Sequence, residues 1–285
     1  MALAAINKRA GMSVPHLSDV APLNIDFTSK SDYEKQLQTL QTRLLHVQQA
    51  LFHAGERAIL VFEGTDASGK GGAIRRATAL LDPRGFRVHA IGAPNPEEQG
   101  RHYLWRFFRH LPPAARIALF DRSWYGRVLV ERVEGLASDD AWQRAYREIT
   151  EFERWLTDDG IKLVKIYLSI DQEEQNKRFA ERLSNPHKYW KLTEEDIRNR
   201  RHWDEYVEAT NDMFAQTHRP NAPWHVLDGR HKWSTRVAVL SLLTETLAQG
   251  LEVEPPAIDA QLLHEARAAL GVKLTTKLPI SESKP

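Results

Sequence analysis

The chain has 285 residues, no cysteine, and 39 Lys+Arg against 38 Asp+Glu, a formal net charge of +1. The missing cysteine excludes disulfide scaffolds, thiolate zinc sites and cysteine nucleophiles, and the near-neutral balance argues against a protein that coats DNA or RNA. With 42% hydrophobic and 27% charged residues the composition is that of a folded globular protein, and no uninterrupted apolar run approaches the ~20 residues of a membrane span.

Residues 1–30 carry no hydrophobic period and read as an N-terminal arm, either wrapped on the domain or loose. The opening MALAAINKRAGMS lacks the charged-then-apolar layout of a secretion signal, so a cytoplasmic chain is expected. Ser31 to Ala54 is predicted helical, because Leu37, Leu40, Leu44, Val47 and Leu51 recur at helical spacing and Gly55 supplies a stop. Ala58 to Phe62 is a first strand, followed after Gly69 by a helix through Leu81. Arg87 to Ile91 is a second strand, Glu97 to Leu111 an aromatic-rich helix, and Ile117 to Phe120 a third strand. Helical patterns cover Ser123 to Val133 and Asp139 to Leu156. Ile161 to Leu168 is a fourth strand, Gln172 to Leu183 a helix, and Thr193 opens a long helix with a capping-box pattern. Trp224 to Leu227 is a fifth strand and His231 to Gln249 a last helix, with residues 251–285 as a tail holding one short helix. Strands alternating with helices imply a parallel five-stranded sheet covered on both faces. In such sheets ligands bind beyond the carboxyl ends of the strands.

The loop after the first strand is Gly64-Thr-Asp-Ala-Ser-Gly69-Lys70, a phosphate-binding P-loop pattern in its proper strand-to-helix setting. Gly64, Ala67, Ser68, Gly69, Lys70 and Gly71 are the expected phosphate contacts. Glycines let successive N–H groups face an anion, the following helix start adds positive partial charge, and Lys70 adds a full one. Gly71 stands where a magnesium-binding Ser or Thr is usual, which leaves Asp66 as the candidate metal ligand inside the loop. After the third strand, Asp121 occupies the place of the Walker B carboxylate, with Arg122 beside it for phosphate oxygens.

GTDASGKGG (Gly64 to Gly72) and FDRSWYGR (Phe120 to Arg127), with IGAPNPEE, RHYLWRFFRHLP, VLVERVEG, FERWL and APWHVLD in order around them, resemble polyphosphate kinase family 2 over roughly residues 30–250. The resemblance implies a three-layer α/β/α sandwich like that of nucleoside monophosphate kinases, with residues 31–250 as the P-loop domain and a helical lid at about 178–205. It implies phosphoryl transfer between inorganic polyphosphate and a purine nucleotide, magnesium (or manganese in its place) held by Asp66 and Asp121, and a dimer or tetramer with the 31–54 helix available to an interface. DRSWYGRVLVERVEG resembles the branch that acts on AMP. Seven arginines between Arg101 and Arg132 form a cationic stretch, of which Arg122, Arg101 and Arg127 are the best phosphate ligands. Arg178 and Arg182 are the expected catalytic lid cations, and Lys188 and Lys191 the expected binders of the chain substrate. An ATP-dependent nucleotide kinase and a non-catalytic polyphosphate-binding module are the alternatives.

Overall fold

The computed structural model describes residues 13–254, 257–271 and 280–281. The first twelve residues of the expected arm and most of the tail's end lie outside the described residues. In chain order come α1 (Lys30–Ala54), β1 (Arg57–Gly64), α2 (Lys70–Ala77), β2 (Phe86–Ala90), α3 (Trp105–Phe108), β3 (Ile117–Asp121), α4 (Val130–Val133), α5 (Asp139–Asp158) and β4 (Ile161–Ser169). They are followed by α6 (Gln172–Leu183), α7 (Glu194–Arg201), α8 (Trp203–Thr217), β5 (Trp224–Asp228), α9 (Lys232–Leu247), β6 (Ile258–Asp259), α10 (Ala260–Leu270) and β7 (Ile280–Ser281).

The expected five-stranded parallel sheet is present, in the order β2-β3-β1-β4-β5. Because side chains alternate along a strand, each central strand feeds two cores. Leu60 and Phe62 of β1, Leu119 of β3 and Ile166 of β4 pack under α1, α2 and α9. Ile59 and Val61, Phe120, and Leu163 pack on the other face under α5 and α8. Helix, sheet and helix thus form three layers. β2 departs from the expected cover on both faces: Arg87 and Val88 are exposed because this strand is the sheet's edge.

Three predicted helices come out differently. Residues 97–111 yield only the one-turn α3, preceded by turns, since Pro94 and Pro96 open the segment and Gly100 takes a left-handed φ of +74°. Ser123 to Val133 splits into a 3₁₀ turn at Trp124–Arg127 and α4, because Leu129 leaves the helical region. The long helix from Thr193 breaks at His202 into α7 and α8, although its capping box of Thr193 and Asp196 forms as expected. The 31–54 helix, expected to be available to an interface, leaves Phe52 exposed and turns most of its apolar residues inward. Tyr33, Leu37, Leu44, Val47 and Leu51 are spent on the chain's own core against α9. No helix among the described residues is long and apolar enough to cross a membrane.

Lys165 of β4 lies among the apolar residues of the second face and is 0% exposed. Its ammonium donates to Glu153 Oε2 at 2.7 Å, to the Tyr125 hydroxyl at 2.9 Å and to the Thr217 carbonyl at 2.9 Å. Tyr125 and the Trp124 indole in turn donate to Glu153 Oε1. A buried charge is tolerated only when paired and hydrogen-bonded in this way, and the network ties β4 and α5 to the turn that follows β3.

On β5, burial pushes the His225 imidazole down to about 4, with His218 and Lys165 adding repulsion. The unfolded imidazole, near pH 6.5, takes up its proton first, so stability is complete above about pH 7 and declines as pH falls through 6.5 toward 4. Between pH 7 and pH 5 His225 alone removes about 2 kcal/mol. Urea denaturation at the two pH values is expected to show that loss in the parent chain and a smaller one in His225→Leu; equal losses would acquit this residue.

Candidate active site

The parallel sheet brings the loops after β1, β3, β4 and β5 to one edge. A cleft of about 460 Å3 opens there, lined by Gly64, Thr65, Asp66 and Lys70 after β1, Arg122 after β3, and Asp171 and Arg230 after β4 and β5. The P-loop takes its expected course. A Cβ on Gly64, whose φ is +148°, would collide with the Leu168 carbonyl of β4, so the first glycine is demanded by the neighbouring strand. Lys70 folds back on the loop and donates to the Gly64 carbonyl at 2.5 Å. The Ser68 hydroxyl is buried without a partner. Ala67 and Arg122, at φ of +63° and +65°, hold left-handed conformations that cost a non-glycine residue of order 1–2 kcal/mol. Both flank the cleft.

Opposite charges in the cleft bind one another. Arg122 Nη1 donates to Glu195 of α7 at 2.5 Å, and its Nη2 lies 3.7 Å from Asp66. Burial opposes the Arg122 charge, but Asp66 and Glu195 outweigh it and raise its pKa. Asn199, one turn after Glu195, donates to Asp66 Oδ2 at 2.7 Å and accepts from the Tyr206 hydroxyl at 2.9 Å. Glu63, buried at the end of β1, accepts from Ser123 at 2.8 Å. Burial raises its pKa, against the pull of Ser123, Lys70 and Arg122. Among the described residues nothing hydrogen-bonds or ion-pairs with the carboxylate of Asp121, which stands at the end of β3 and does not line the cleft.

Several expected ligands are engaged elsewhere. Arg178, expected as a mobile lid cation, is 4% exposed and spends all its donors on the protein. Its Nη1 reaches the carbonyls of Ala67 (2.8 Å) and Ser68 (3.0 Å), Nη2 those of Gly229 (2.7 Å) and Arg230 (2.9 Å), and Nε the Glu174 carboxylate (2.7 Å). Arg182 holds the turn between α6 and α7, donating to the Lys191 carbonyl at 2.8 Å and lying 3.6 Å from Asp196. Arg127 pairs with Glu131 and stacks on Tyr103, away from the cleft. Arg101 and Arg109 both pack against the Trp105 ring, and Arg132 meets Glu208, Asp212 and Trp142. The cationic stretch is mostly structural, with Arg122 its one member lining the cleft. Lys188 and Lys191 are exposed on the turn after α6, beside Tyr189 and Trp190, and do not line it either.

Glu195, Asn199, Tyr206 and Arg230 line the cleft and were not singled out from the sequence. Arg230 was within reach of the strand-end rule, two residues past β5; the α7 pair Glu195 and Asn199 shows only as a four-residue spacing inside a charged run. Outside the cleft, Arg76 of α2 feels the charges of Arg75 and of Arg236 of α9, and Arg236 donates to the Tyr33 hydroxyl at 3.4 Å. No carboxylate forms an ion pair with any of the three among the described residues. Burial, Arg236 and Arg75 together lower the Arg76 pKa.

The fixed geometry around Arg178 makes a stability prediction. Arg178→Ala would strip four carbonyls, two of them in fully buried bonds, of their donor, at a cost of about 3 kcal/mol. Arg178→Lys, a point charge in place of a planar fork, is expected to recover only part. Thermal denaturation checks this, and an alanine variant as stable as the parent would remove Arg178 from the loop's support.

The polyphosphate kinase 2 family model matches residues 27–254. The chain is 46% identical over 221 residues to the polyphosphate:AMP phosphotransferase of Pseudomonas aeruginosa, covering 78% of this chain and 45% of that protein. It is 40% identical over 228 residues to the ADP-polyphosphate phosphotransferase of the same organism, covering 80% and 75%. The crystal structure of polyphosphate kinase 2 from Arthrobacter aurescens superimposes with a TM-score of 0.80 at 32% identity, covering 91% of this chain and 96% of that one. The chain spans about half the length of the polyphosphate:AMP phosphotransferases it matches. With that match across P-loop, sheet and cleft, the chain belongs to the polyphosphate kinase 2 family.

Proposed function

We propose that this chain transfers a phosphoryl group from inorganic polyphosphate to a nucleoside monophosphate, AMP in preference. The observation that carries the reading is the meeting, at one cleft, of a P-loop with Lys70 and Asp66, an arginine after β3, and a largely apolar chamber. One substrate is all phosphate and the other carries an aromatic base, and the cleft offers both kinds of surface. The AMP preference rests on relatives: those named for AMP are 46–47% identical, those named for diphosphates 37–40%.

In this reading an acceptor phosphate oxygen attacks the terminal phosphorus of polyphosphate. The bridging P–O bond breaks, and the shortened chain leaves with the bond's electron pair. The acceptor phosphate is largely ionised near neutral pH, its second pKa being ~6, so no strong base is required. The work is alignment and charge compensation. The loop N–H groups, Ser68 and Lys70 hold phosphate oxygens; Arg122 exchanges Glu195 for them. Arg182, Lys188 and Lys191 are the proposed phosphate-facing cations of the 178–205 lid, while Arg178 positions the loop. Two hard carboxylates suit magnesium, which binds through one or two of them plus phosphates and water. Asp66 and the unpartnered Asp121 are the proposed ligands, and no group of three acidic or histidine ligands exists among the described residues. Bound magnesium, or manganese in its place, would neutralise phosphate charge.

The test is transfer by purified protein with magnesium and long-chain polyphosphate, offering AMP, ADP, GMP and GDP separately. ADP formed from AMP without ATP is the expected result, and Asp66→Asn or Asp121→Asn should each lower it about a hundredfold or more. Product only from diphosphates would keep the donor and overturn the acceptor. Activity only with ATP would overturn the donor.

The uncompensated trio Arg75, Arg76 and Arg236 beyond Lys70 is the proposed track for the rest of the polyphosphate chain, since clustered like charges are relieved by an anion. Replacing all three by glutamine should raise the KM for long-chain polyphosphate about tenfold or more and flatten its dependence on chain length. The KM for AMP should stay put; a rise in it alone would contradict the track.

A further inference from the structure

The cleft has a wall that the family match does not include. The family model begins at residue 27, yet His16, Leu17, Ser18 and Val20 line the cleft. We infer that this segment is a strap that closes the acceptor nucleotide's side of the cleft and sets the selectivity for its base. The inference rests on the reading that a nucleotide is one of the two substrates.

The strap is built and anchored at both ends. Residues Leu17–Asp19 form a single 3₁₀ turn, capped by the His16 ring, which accepts from the Ser18 amide. The Leu17 amide donates to Asn211 Oδ1 of α8 at 2.9 Å, a bond across 194 residues of sequence. Leu17 also packs on the core beneath α8. At the other end the Ile25 carbonyl accepts from Ser234 of α9 at 3.1 Å, and Phe27 meets Tyr33 and Trp233 edge to face. Leu23, Ile25 and Phe27 pack on the first core. The chain therefore crosses from α8 to α9, over the sheet edge where β4 and β5 end.

The surfaces that face the strap decide its occupant. Leu17 and Val20 share the cleft with Leu129, Val130, Ile170 and Val207; Lys70, Asp66 and Arg122 come from the loops after β1 and β3, and at the ends of β4 and β5 the charge of Arg230 is already met by Asp228 at 2.9 Å. Apolar side chains offer nothing to a polyphosphate, whose every unit is anionic. They offer a dehydrated slot to a planar base and a ribose, with Asn211 and Thr210 as the polar groups beside it. A hydrophobic slot discriminates by size, and one methylene changes specificity by ~10-fold or more. The wall is thus a place where base selectivity is adjusted without touching the phosphate machinery.

The experiment measures nucleotide dissociation constants by calorimetry, and KM values for AMP and polyphosphate, in the full chain and in Leu17→Ala/Val20→Ala and Leu17→Trp variants. The double alanine variant is expected to weaken AMP about tenfold in both Kd and KM, with the polyphosphate KM within about twofold. Leu17→Trp, which fills the slot, is expected to weaken AMP more than CMP or UMP and so lower the purine-to-pyrimidine ratio. Unchanged AMP affinity and an unchanged ratio in both variants would overturn the strap's role. So would a rise confined to the polyphosphate KM. If the parent chain binds AMP but transfers nothing to it from polyphosphate, the proposed function fails while the Kd series still decides the strap. A parent chain that binds no nucleotide overturns both.

Discussion

The site depends on where the backbone carbonyls of the P-loop go. A loop that turns its N–H groups toward an anion turns carbonyls outward, and buried carbonyls need donors as much as amides need acceptors. Arg178 answers for two of the loop's carbonyls and two from the turn after β5, with five N–H groups in one rigid plane. Its own charge is met by Glu174 one turn back on α6. The clamp joins three segments that are far apart in the chain, and α6 leads directly into the turn carrying Lys188 and Lys191. The phosphate loop, the loop after β5 and α6 therefore share one rigid junction.

A second constraint comes from charge. The proposed site, which takes two polyanions, must hold cations close together, and without ligand those cations repel. Arg122 is neutralised internally by Glu195 and Asp66, which in turn leans on Asn199. A phosphate entering this pocket exchanges one anion for another at Arg122, so the desolvated guanidinium is never left alone. The turn that carries Arg122 is held from behind by the buried Lys165–Glu153 pair through Tyr125 and Trp124. Removing one partner of such a pair is costly because the other stays buried and charged, and here the cost would fall on the segment that aims the site's arginine.

Much of this was legible locally. Apolar runs gave the five strands, and the spacing of Gly64, Gly69 and Lys70 gave the loop, because both signals lie within a few neighbouring residues. The P-loop's first glycine was legible for a reason beyond the phosphate, since the Leu168 carbonyl of β4 leaves no room for a Cβ. Roles set by distant partners were not legible. Arg178 and Arg182 read as a basic helix face, but whether a guanidinium is spent depends on carbonyls some fifty to over a hundred residues away. The arginines between 101 and 132 read as an anion path, whereas rings and carboxylates absorb most of them: Trp105 for Arg101 and Arg109, Asp212 and Trp142 for Arg132. Glu195 and Asn199 sat unnoticed in a charged run whose members differ only in which face of α7 they occupy.

The same contrast separates the two sides of the cleft. Phosphate recognition is written in backbone turns and short motifs, because an anion is satisfied by N–H groups that any sequence supplies once glycine permits the turn. Recognition of a base needs shape, and shape is assembled from wherever an apolar side chain can be brought. In the proposed reading residues 16–20, α4, the loop after β4 and α8 supply it, segments with no common motif. A family can keep the first kind of surface fixed while the second drifts, since exchanging Leu17 or Val207 alters the slot and leaves Gly64, Lys70 and Arg122 in place. Differences in acceptor among relatives that share the phosphate loop are then expected to lie in segments such as the strap.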